Sequence, residues 1–163
     1  MATDDGRYVL GHEDRELRRL IAQGEFYREL TAALFRGAGI GRGMRVLDVG
    51  CGAGDVSMLA AELVGGSGSV VGIDRSSEAI NFAKERVWCA GLGNFDFKEA
   101  SIEDFSDPEP FDAVIGRYVL IHQADPVALL RAAAGRVRPG GVVAFHELCV
   151  REEGVQSLPR VSL

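Results

Sequence analysis

The sequence of 163 residues contains no apolar run that approaches the roughly 20 residues of a membrane span. Its first residues show no basic start followed by an apolar stretch, so no secretory signal is predicted and we expect a cytoplasmic protein. Its three cysteines have no metal-ligand spacing, which predicts reduced thiols and no bound metal. A net charge of −6 argues against general nucleic-acid binding, because such binding requires a basic face.

Glycine, by contrast, is abundant, and three of the 21 glycines lie at alternate positions in one turn. This turn ends the segment Val46–Gly54, and Asp55 then begins a helical pattern. Glycine lets the backbone fold tightly and approach a ligand closely, while the start of the following helix presents unpaired N–H groups. The arrangement is typical of a nucleotide-binding turn at the carboxyl end of a parallel strand.

The spacing of the glycines distinguishes two kinds of ligand. A dinucleotide site has the pattern G-x-G-x-x-G, which Gly50 and Gly52 fit, but Asp55 occupies the third glycine position. An acid at the start of a helix would repel a pyrophosphate rather than bind it. Asp48 adds a second carboxylate before the turn. The two acids favour a ligand that carries positive charge next to its sugar.

Five strands alternate with helical patterns along the chain, which predicts an α/β fold with a parallel sheet and right-handed crossovers. We expect a Rossmann-like three-layer sandwich with the strand order 3-2-1-4-5, helices on both faces and a ligand site between the first and fourth strands. The predicted strands are Met44–Val49, Ser69–Asp74, Asn94–Ala100, Phe111–Gly116 and Gly141–His146.

Helical periodicity predicts which faces of three helices are buried. The first helix covers Asp14–Phe35, the second runs from a cap at Ser76 or Ser77 to Gly91, and the third runs from the Asp125 cap to Pro139. The residues predicted to face the core are Leu17, Leu20, Ile21, Gly24, Tyr27, Thr31 and Leu34 in the first helix, Ile80, Ala83, Val87 and Ala90 in the second, and Val127, Leu130, Ala134 and Val137 in the third.

The order of these motifs resembles that of the class I S-adenosylmethionine (SAM) dependent methyltransferases. Asp48–Gly54, with the sequence D-V-G-C-G-A-G, resembles their motif I, and Val70–Asp74 resembles their second strand, which ends in a ribose-binding acid. Glu99–Asp104 resembles the segment that contacts adenine, Phe111–Ile115 resembles the fourth strand, and Arg138–Gly141 resembles the Pro-Gly-Gly turn before the fifth. Within this class the chain looks most like the group that includes the quinone-biosynthesis methyltransferases.

The resemblance implies that SAM is the cofactor and indicates which residues bind it. Asp74 would accept hydrogen bonds from the ribose hydroxyls, and Gly50 and Gly52 would bring backbone to the methionine part of SAM. Ser101 stands where many relatives have an aspartate, and Arg117 is unusual at its position, so only its backbone role is carried over. The full set of cofactor-binding candidates is Asp48, Gly50, Cys51, Gly52, Asp74, Arg75, Ser101, Ile102 and Arg117.

The resemblance identifies the cofactor better than the catalyst. Methyl transfer requires a nucleophile aligned with the methyl group, and a general base is optional. His122, just beyond the fourth strand, is the candidate for contact with a small-molecule methyl acceptor, and His146 is a second tempting base. Cys51 is not expected to act as a nucleophile, because no helper residue is evident near it.

The predicted organisation is a helical segment over residues 1–39 that covers the cofactor site, a SAM-binding domain over 40–147 and a tail over 148–163. Methyltransferases of this class usually have seven strands, and we expect strands 6 and 7 to be absent from this sequence, because Leu163 follows the fifth strand closely. The exposed edge of the fifth strand, or the tail, would then support a homodimer. Two alternatives remain open, which are a non-catalytic SAM-binding domain and a nicotinamide-dependent oxidoreductase.

Overall fold

The computed structural model describes residues 27–148, which form one parallel five-stranded sheet with helices on both faces. The predicted residues before 27 and after 148 therefore lie outside the described part of the chain. The strands are β1 (Arg45–Val49), β2 (Ser69–Asp74), β3 (Phe95–Glu99), β4 (Phe111–Arg117) and β5 (Val137–His146). The helices are α1 (residues 27–37), α2 (Asp55–Val64), α3 (Ser77–Cys89) and α4 (Pro126–Ala134), with one 3-10 turn at Leu120–His122.

The sheet has the predicted order, β3-β2-β1-β4-β5, and every neighbouring pair is parallel. The prediction for β5 is wrong at its start, because the strand begins four residues earlier, at Val137. Val137 pairs with Phe111, whereas Val142 pairs with Ala113, so the residues between them bulge out of the ladder. Proline has no N–H to donate to a strand partner, which explains why the Pro-Gly-Gly segment occupies the bulge instead of ending a helix.

The helix caps are confirmed, but parts of the predicted buried faces are wrong. The Ser76 and Asp125 side chains accept hydrogen bonds from the backbone N–H groups of Ala79 and Ala128, as expected for N-caps. α4 ends at Ala134 because Val137 already belongs to β5, and its buried residues are consequently Leu129 and Ala133, while Val127 is 53% exposed. Likewise α3 ends at Cys89, which leaves Ala90 exposed. On α1, Thr31 is buried as predicted, but Ala32 and Phe35 complete the core face in place of Leu34, which is exposed.

Successive residues of β1 pack into opposite layers, as the alternation of a strand requires. Val46 lies in a core cluster with Phe35 of α1 and Leu59 of α2, whereas Leu47 lies in the cluster that contains Leu129 of α4. A third cluster packs α3 against Phe97 of β3. Both faces of the sheet are therefore covered, and the carboxyl ends of the strands are left to form a site. No helix in the described residues is long and apolar enough to cross a membrane.

A substitution at Gly72 of β2 would test how tightly this part of the core is packed. A Cβ at this position would lie 2.6 Å from Cδ1 of Phe97 and 3.0 Å from Sγ of Cys51, both of which belong to buried side chains. We expect Gly72→Ala to lower the free energy of unfolding by about 1–3 kcal/mol, because overpacking forces neighbouring side chains to shift. Urea denaturation would measure the loss, with Gly66→Ala as the control, since a Cβ at Gly66 meets nothing within 4 Å. Equal midpoints for the two variants would contradict the prediction.

Candidate functional site

The glycine turn between β1 and α2 adopts a conformation that side chains rarely allow. Gly50, Gly52 and Gly54 have φ angles of 65°, 51° and 84°. A Cβ on Gly50 would also lie 2.9 Å from Cγ2 of Val119, so the turn is held against the segment that follows β4. Glycine is therefore required at Gly50 for steric as well as conformational reasons, and at Gly52 and Gly54 because of the positive φ angles.

A cleft of about 220 Å³ opens at the carboxyl ends of β1, β2 and β4, where the strand order reverses. In open α/β sheets this reversal is where ligands bind. Six of the predicted site residues line the cleft, which are Gly50, Asp74, Arg75, Ser101, Ile102 and His122. The other lining residues are Val49, Ile73, Ala100, Tyr118, Val119, Gln123 and Leu129. Asp48, Cys51, Gly52 and Arg117 are not among its walls, and the structure places each of them behind or beside it.

The Asp74 carboxylate holds the turn in place. Its Oδ2 accepts a hydrogen bond from the Gly52 N–H and its Oδ1 accepts one from the Ser76 N–H, both at 2.9 Å. The single side chain thus joins the glycine turn to the start of α3. Each carboxylate oxygen can accept a further hydrogen bond, so the group remains able to bind two hydroxyls in the cleft.

The segment after β3 forms the opposite wall. Ile102 is 2% exposed and belongs to the core, so it offers a rigid apolar surface. The Ser101 hydroxyl is engaged locally, because Oγ lies 2.8 Å from Oδ2 of Asp104 and accepts a hydrogen bond from the Asp104 N–H. Arg75 reaches across the mouth of the cleft to Glu103, with 3.4 Å between Nη2 and Oε2. Ser101 is therefore less available to a ligand than its position in the sequence suggested.

Asp48 is buried behind the turn, with 1% of its surface exposed. The Ser57 hydroxyl donates a 2.6 Å hydrogen bond to its Oδ2, while its Oδ1 has no hydrogen-bond partner among the described residues. Burial raises the pKa of the Asp48 carboxyl from 3.8 to about 7, although the Ser57 hydrogen bond and the Arg117 charge act in the opposite direction. Asp48 is therefore held by the Ser57 side chain of α2 rather than by the backbone of the turn.

Cys51 and Asp55 belong to the structural side of the turn. The Cys51 side chain packs with Ile80, Ala83 and Phe97, and burial raises the pKa of its thiol far above the usual range, so no thiolate is available as a nucleophile. The Asp55 carboxylate forms a 2.9 Å ion pair with Arg86 of α3. Its charge is therefore partly compensated, and repulsion of a pyrophosphate is weaker than the sequence alone implied.

The end of β4 has a strained backbone. Tyr118 has a φ of 57° and is the one residue other than glycine with a positive φ in the described chain. Bulky residues rarely adopt this conformation, and such residues cluster at functional sites. Its N–H donates to the carbonyl of His146, and the Glu147 carboxylate accepts hydrogen bonds from the N–H groups of Val119 and Leu120. These bonds fix the 3-10 turn that carries His122 to the rim of the cleft.

Sequence reasoning missed Glu147, which no motif marks, and it did not single out Tyr118 within the segment that follows the fourth strand. The Arg117 side chain extends to α1, with Nη1 3.5 Å from the Thr31 hydroxyl, and the backbone role of this residue stays a prediction. His122 is exposed at the rim. Within residues 27–148, no group of three or more His, Cys, Asp and Glu side chains could hold a metal ion.

The parallel 3-2-1-4-5 sheet, the glycine turn after β1 and the acid that ends β2 together define a Rossmann-like domain of the SAM-dependent methyltransferase class. Residues 40–160 match a methyltransferase-domain family, and the chain belongs to that family. SAM is accordingly the cofactor, and the nicotinamide-dependent alternative is set aside.

The relatives with known names agree with this assignment. The ubiquinone biosynthesis O-methyltransferase of Paracidovorax citrulli is 36% identical over 109 residues, which cover 66% of this chain and 44% of that protein. The same enzyme of Thiobacillus denitrificans is 38% identical over 108 residues, which cover 65% and 45%. The chain thus spans less than half the length of these relatives. A SAM-dependent methyltransferase from Aquifex aeolicus has a similar structure, with a TM-score of 0.63, 27% identity and coverage of 77% of this chain and 68% of that one.

Proposed function

We propose that this domain binds SAM in the cleft at the ends of β1, β2 and β4 and transfers its methyl group to a small-molecule acceptor. The observation that carries the proposal is the meeting of the Gly50 turn and the Asp74 carboxylate in one cleft at the strand-order reversal. When bound, SAM supplies a methyl group that its positively charged sulfur already activates. The chain itself has to bind, orient and shield this group.

The residues around the cleft suit the parts of SAM. Asp74 has lone pairs free for both ribose hydroxyls, and charge-assisted hydrogen bonds of this kind are among the strongest that side chains make. Ile102 and the stem of Arg75 offer apolar surface to the adenine ring. Ser101 contributes mainly through its backbone, because its hydroxyl is bonded to Asp104.

The methionine part of SAM would lie over the glycine turn, with Gly50 and Gly52 allowing close approach and Cys51 contributing only backbone. The buried Oδ1 of Asp48 has no donor among the described residues, and a cationic ligand nearby would favour the ionised form of this carboxyl, which a neutral or anionic ligand would not do. The carbonyl of Arg117 completes this end of the site at the tip of β4.

The acceptor would enter beside His122, at the exposed rim of the cleft. Because the relatives are named O-methyltransferases, we propose an oxygen atom as the methyl acceptor. The negative net charge and the lack of a basic face among the site residues favour a small molecule over a nucleic acid.

The organisation of the chain follows the same proposal. Residues 40–147 form the SAM-binding domain, 1–39 form a segment that covers the cofactor, and 148–163 form a tail. In support of the covering segment, Thr31 of α1 lies at the carboxyl end of the sheet, within hydrogen-bond distance of Arg117 and His146. We further propose a cytoplasmic protein that forms a homodimer through β5 or the tail. In its support, Val143 of this edge strand is 39% exposed.

Calorimetry on this chain with SAM, its demethylated product S-adenosylhomocysteine (SAH) and NAD tests the proposal. We expect one binding site for SAM and for SAH and no heat from NAD. Transfer of a radiolabelled methyl group from SAM to a panel of hydroxyl compounds is the second measurement. Binding of SAM without transfer to any compound would support the non-catalytic alternative, and binding of NAD without SAM would contradict the proposed function.

A further inference from the structure

A polar cluster beside the cleft has no role in the binding of SAM proposed above. It is centred on His146, the last residue of β5, whose Nδ1 lies 2.9 Å from the Thr31 hydroxyl of α1. Its imidazole ring is flanked by two aromatic rings, with centroids 5.5 Å from Tyr118 and 6.3 Å from Tyr27. Tyr118 is itself a wall of the cleft, so the imidazole lies one ring away from it.

Hydrogen bonding fixes the tautomer of His146. The Thr31 hydroxyl donates its proton to the carbonyl of Tyr27, one helical turn earlier, at 2.9 Å. The same oxygen can then only accept from the imidazole, so Nδ1 carries the proton. Nε2 is left with a lone pair, and it has no hydrogen-bond partner in residues 27–148. The ring therefore presents a proton acceptor that nothing in the described structure uses.

The surroundings keep this imidazole neutral. His146 is 7% exposed, and burial lowers the pKa of its imidazole, an effect that the Arg117 guanidinium on β4 reinforces and the Glu147 carboxylate partly offsets. Tyr27 on α1 and Tyr118 after β4 also lie against the ring, and burial raises the pKa of the Tyr118 hydroxyl, which keeps it uncharged at neutral pH. Neutral imidazole is the form that can accept a proton.

We propose that Nε2 of His146 accepts the proton of a hydroxyl group on the methyl acceptor, which makes His146 a catalytic base. This inference rests on the proposed function. The hydroxyl oxygen forms a bond to the methyl carbon as the carbon–sulfur bond breaks, its O–H electron pair stays on oxygen, and the proton goes to Nε2. SAM leaves as neutral SAH, and the imidazolium formed beside Arg117 readily returns its proton to water.

The same surroundings restrict the class of acceptor. A base whose proton affinity is lowered by burial and by a neighbouring cation suits an acidic hydroxyl, such as a phenol, rather than an aliphatic alcohol. The ring of Tyr27, which is edge-on to the imidazole, and the ring of Tyr118, which is tilted by 50° to it, also suit an aromatic acceptor, because aromatic rings pair well in such arrangements. Catechol is therefore the appropriate probe, with cyclohexanol as its aliphatic counterpart.

The first test needs no turnover. In nitrogen-15 spectra of the histidine rings, we expect the His146 signals to show a protonated Nδ1 and an unprotonated Nε2 at pH 7. Addition of catechol to the complex with SAH should shift the Nε2 signal, whereas cyclohexanol should not. The chain has three histidines, and His146→Asn identifies the relevant signals by their loss. A protonated Nε2, or an Nε2 signal that catechol does not move, would overturn the proposal.

The second test compares variants. His146→Asn keeps an N–H near the position of Nδ1 but removes the base, and we expect the rate of catechol methylation to fall about 100- to 10,000-fold, the usual contribution of such a base. The acidic limb of the wild-type pH–rate profile should disappear with it. Thr31→Val removes the hydroxyl that accepts the Nδ1 proton, so both tautomers of His146 become accessible and the rate of methylation should fall. Thr31→Ser keeps the hydroxyl and should keep the wild-type rate.

Calorimetry with SAM distinguishes the proposed role of His146 from the proposed function of the domain. SAM binding by His146→Asn equal to that of the wild type, with an activity within threefold and an unchanged pH profile, would overturn the role of His146 and leave the proposed function intact. Failure of the wild type to bind SAM would instead refute the proposed function, and the nitrogen-15 result would still decide the tautomer.

Discussion

Replacement of Asp74 by alanine is expected to raise the dissociation constant for SAM about 10- to 150-fold. The change removes charged hydrogen bonds to the ribose, worth about 1.5–3 kcal/mol. It also removes the acceptors of the Gly52 and Ser76 N–H groups, so the turn itself should loosen. Calorimetry with SAM would measure the loss of affinity, and thermal denaturation would measure the loss of order in the turn.

Asp96→Ala is the matched control, since it removes the same charge from an exposed position on β3 that does not line the cleft. Asp74→Asn separates the two roles of the carboxylate, because an amide oxygen can still accept from one backbone N–H but carries no charge. Unchanged SAM affinity in Asp74→Ala would refute the assignment of ribose binding to this residue.

Asp48→Asn is expected to stabilise the protein at alkaline pH while weakening its binding of SAM. In the folded state the pKa of Asp48 is raised from 3.8 to about 7, so the folded protein binds more protons than the unfolded chain between about pH 4 and pH 7. Stability therefore falls as pH rises through this window. Each tenfold change in an ionisation equilibrium corresponds to roughly 1.4 kcal/mol, so ionisation of the buried carboxyl costs about 4 kcal/mol above pH 7.

The asparagine variant cannot ionise, so its melting temperature should lose this pH dependence and exceed that of the wild type at pH 8. The affinity for SAM should change with pH in the opposite direction to the stability. A cationic ligand favours the ionised carboxylate, so wild-type affinity for SAM should increase from pH 6 to pH 8, and the variant should bind at least tenfold more weakly at pH 8.

Asp55→Asn provides the control, since this acid begins α2 directly after the same turn and forms an ion pair with Arg86, whereas Asp48 is buried with only the Ser57 hydroxyl donating to it. Denaturation and calorimetry across pH 5–8 would supply both curves. Parallel pH dependences for the wild type and Asp48→Asn would show that Asp48 does not titrate in this range.

The strand order and the helix caps could be predicted, the first from general rules of chain topology and the second from contacts between residues close in sequence. Alternation of strands and helices implied parallel pairing and right-handed crossovers, and the order β3-β2-β1-β4-β5 followed. The Ser76 and Asp125 caps depend on backbone groups three residues away, which the sequence places directly. The Pro-Gly-Gly segment was misread as the end of a helix, because the ladder between β4 and β5 decides that it bulges within a strand.

The candidate site likewise has features that the sequence determined and features that only the tertiary structure decided. The sequence by itself determined that Gly50 and Asp74 meet at one edge of the sheet, because the carboxyl ends of parallel strands must lie together. Only the tertiary structure decided that Asp48 is buried with one oxygen unpartnered among the described residues, that Tyr118 is strained, and that the Thr31 hydroxyl lies 2.9 Å from Nδ1 of His146. Thr31 and His146 are 115 positions apart, and burial and hydrogen bonding across that separation arise only when α1 packs against the end of β5.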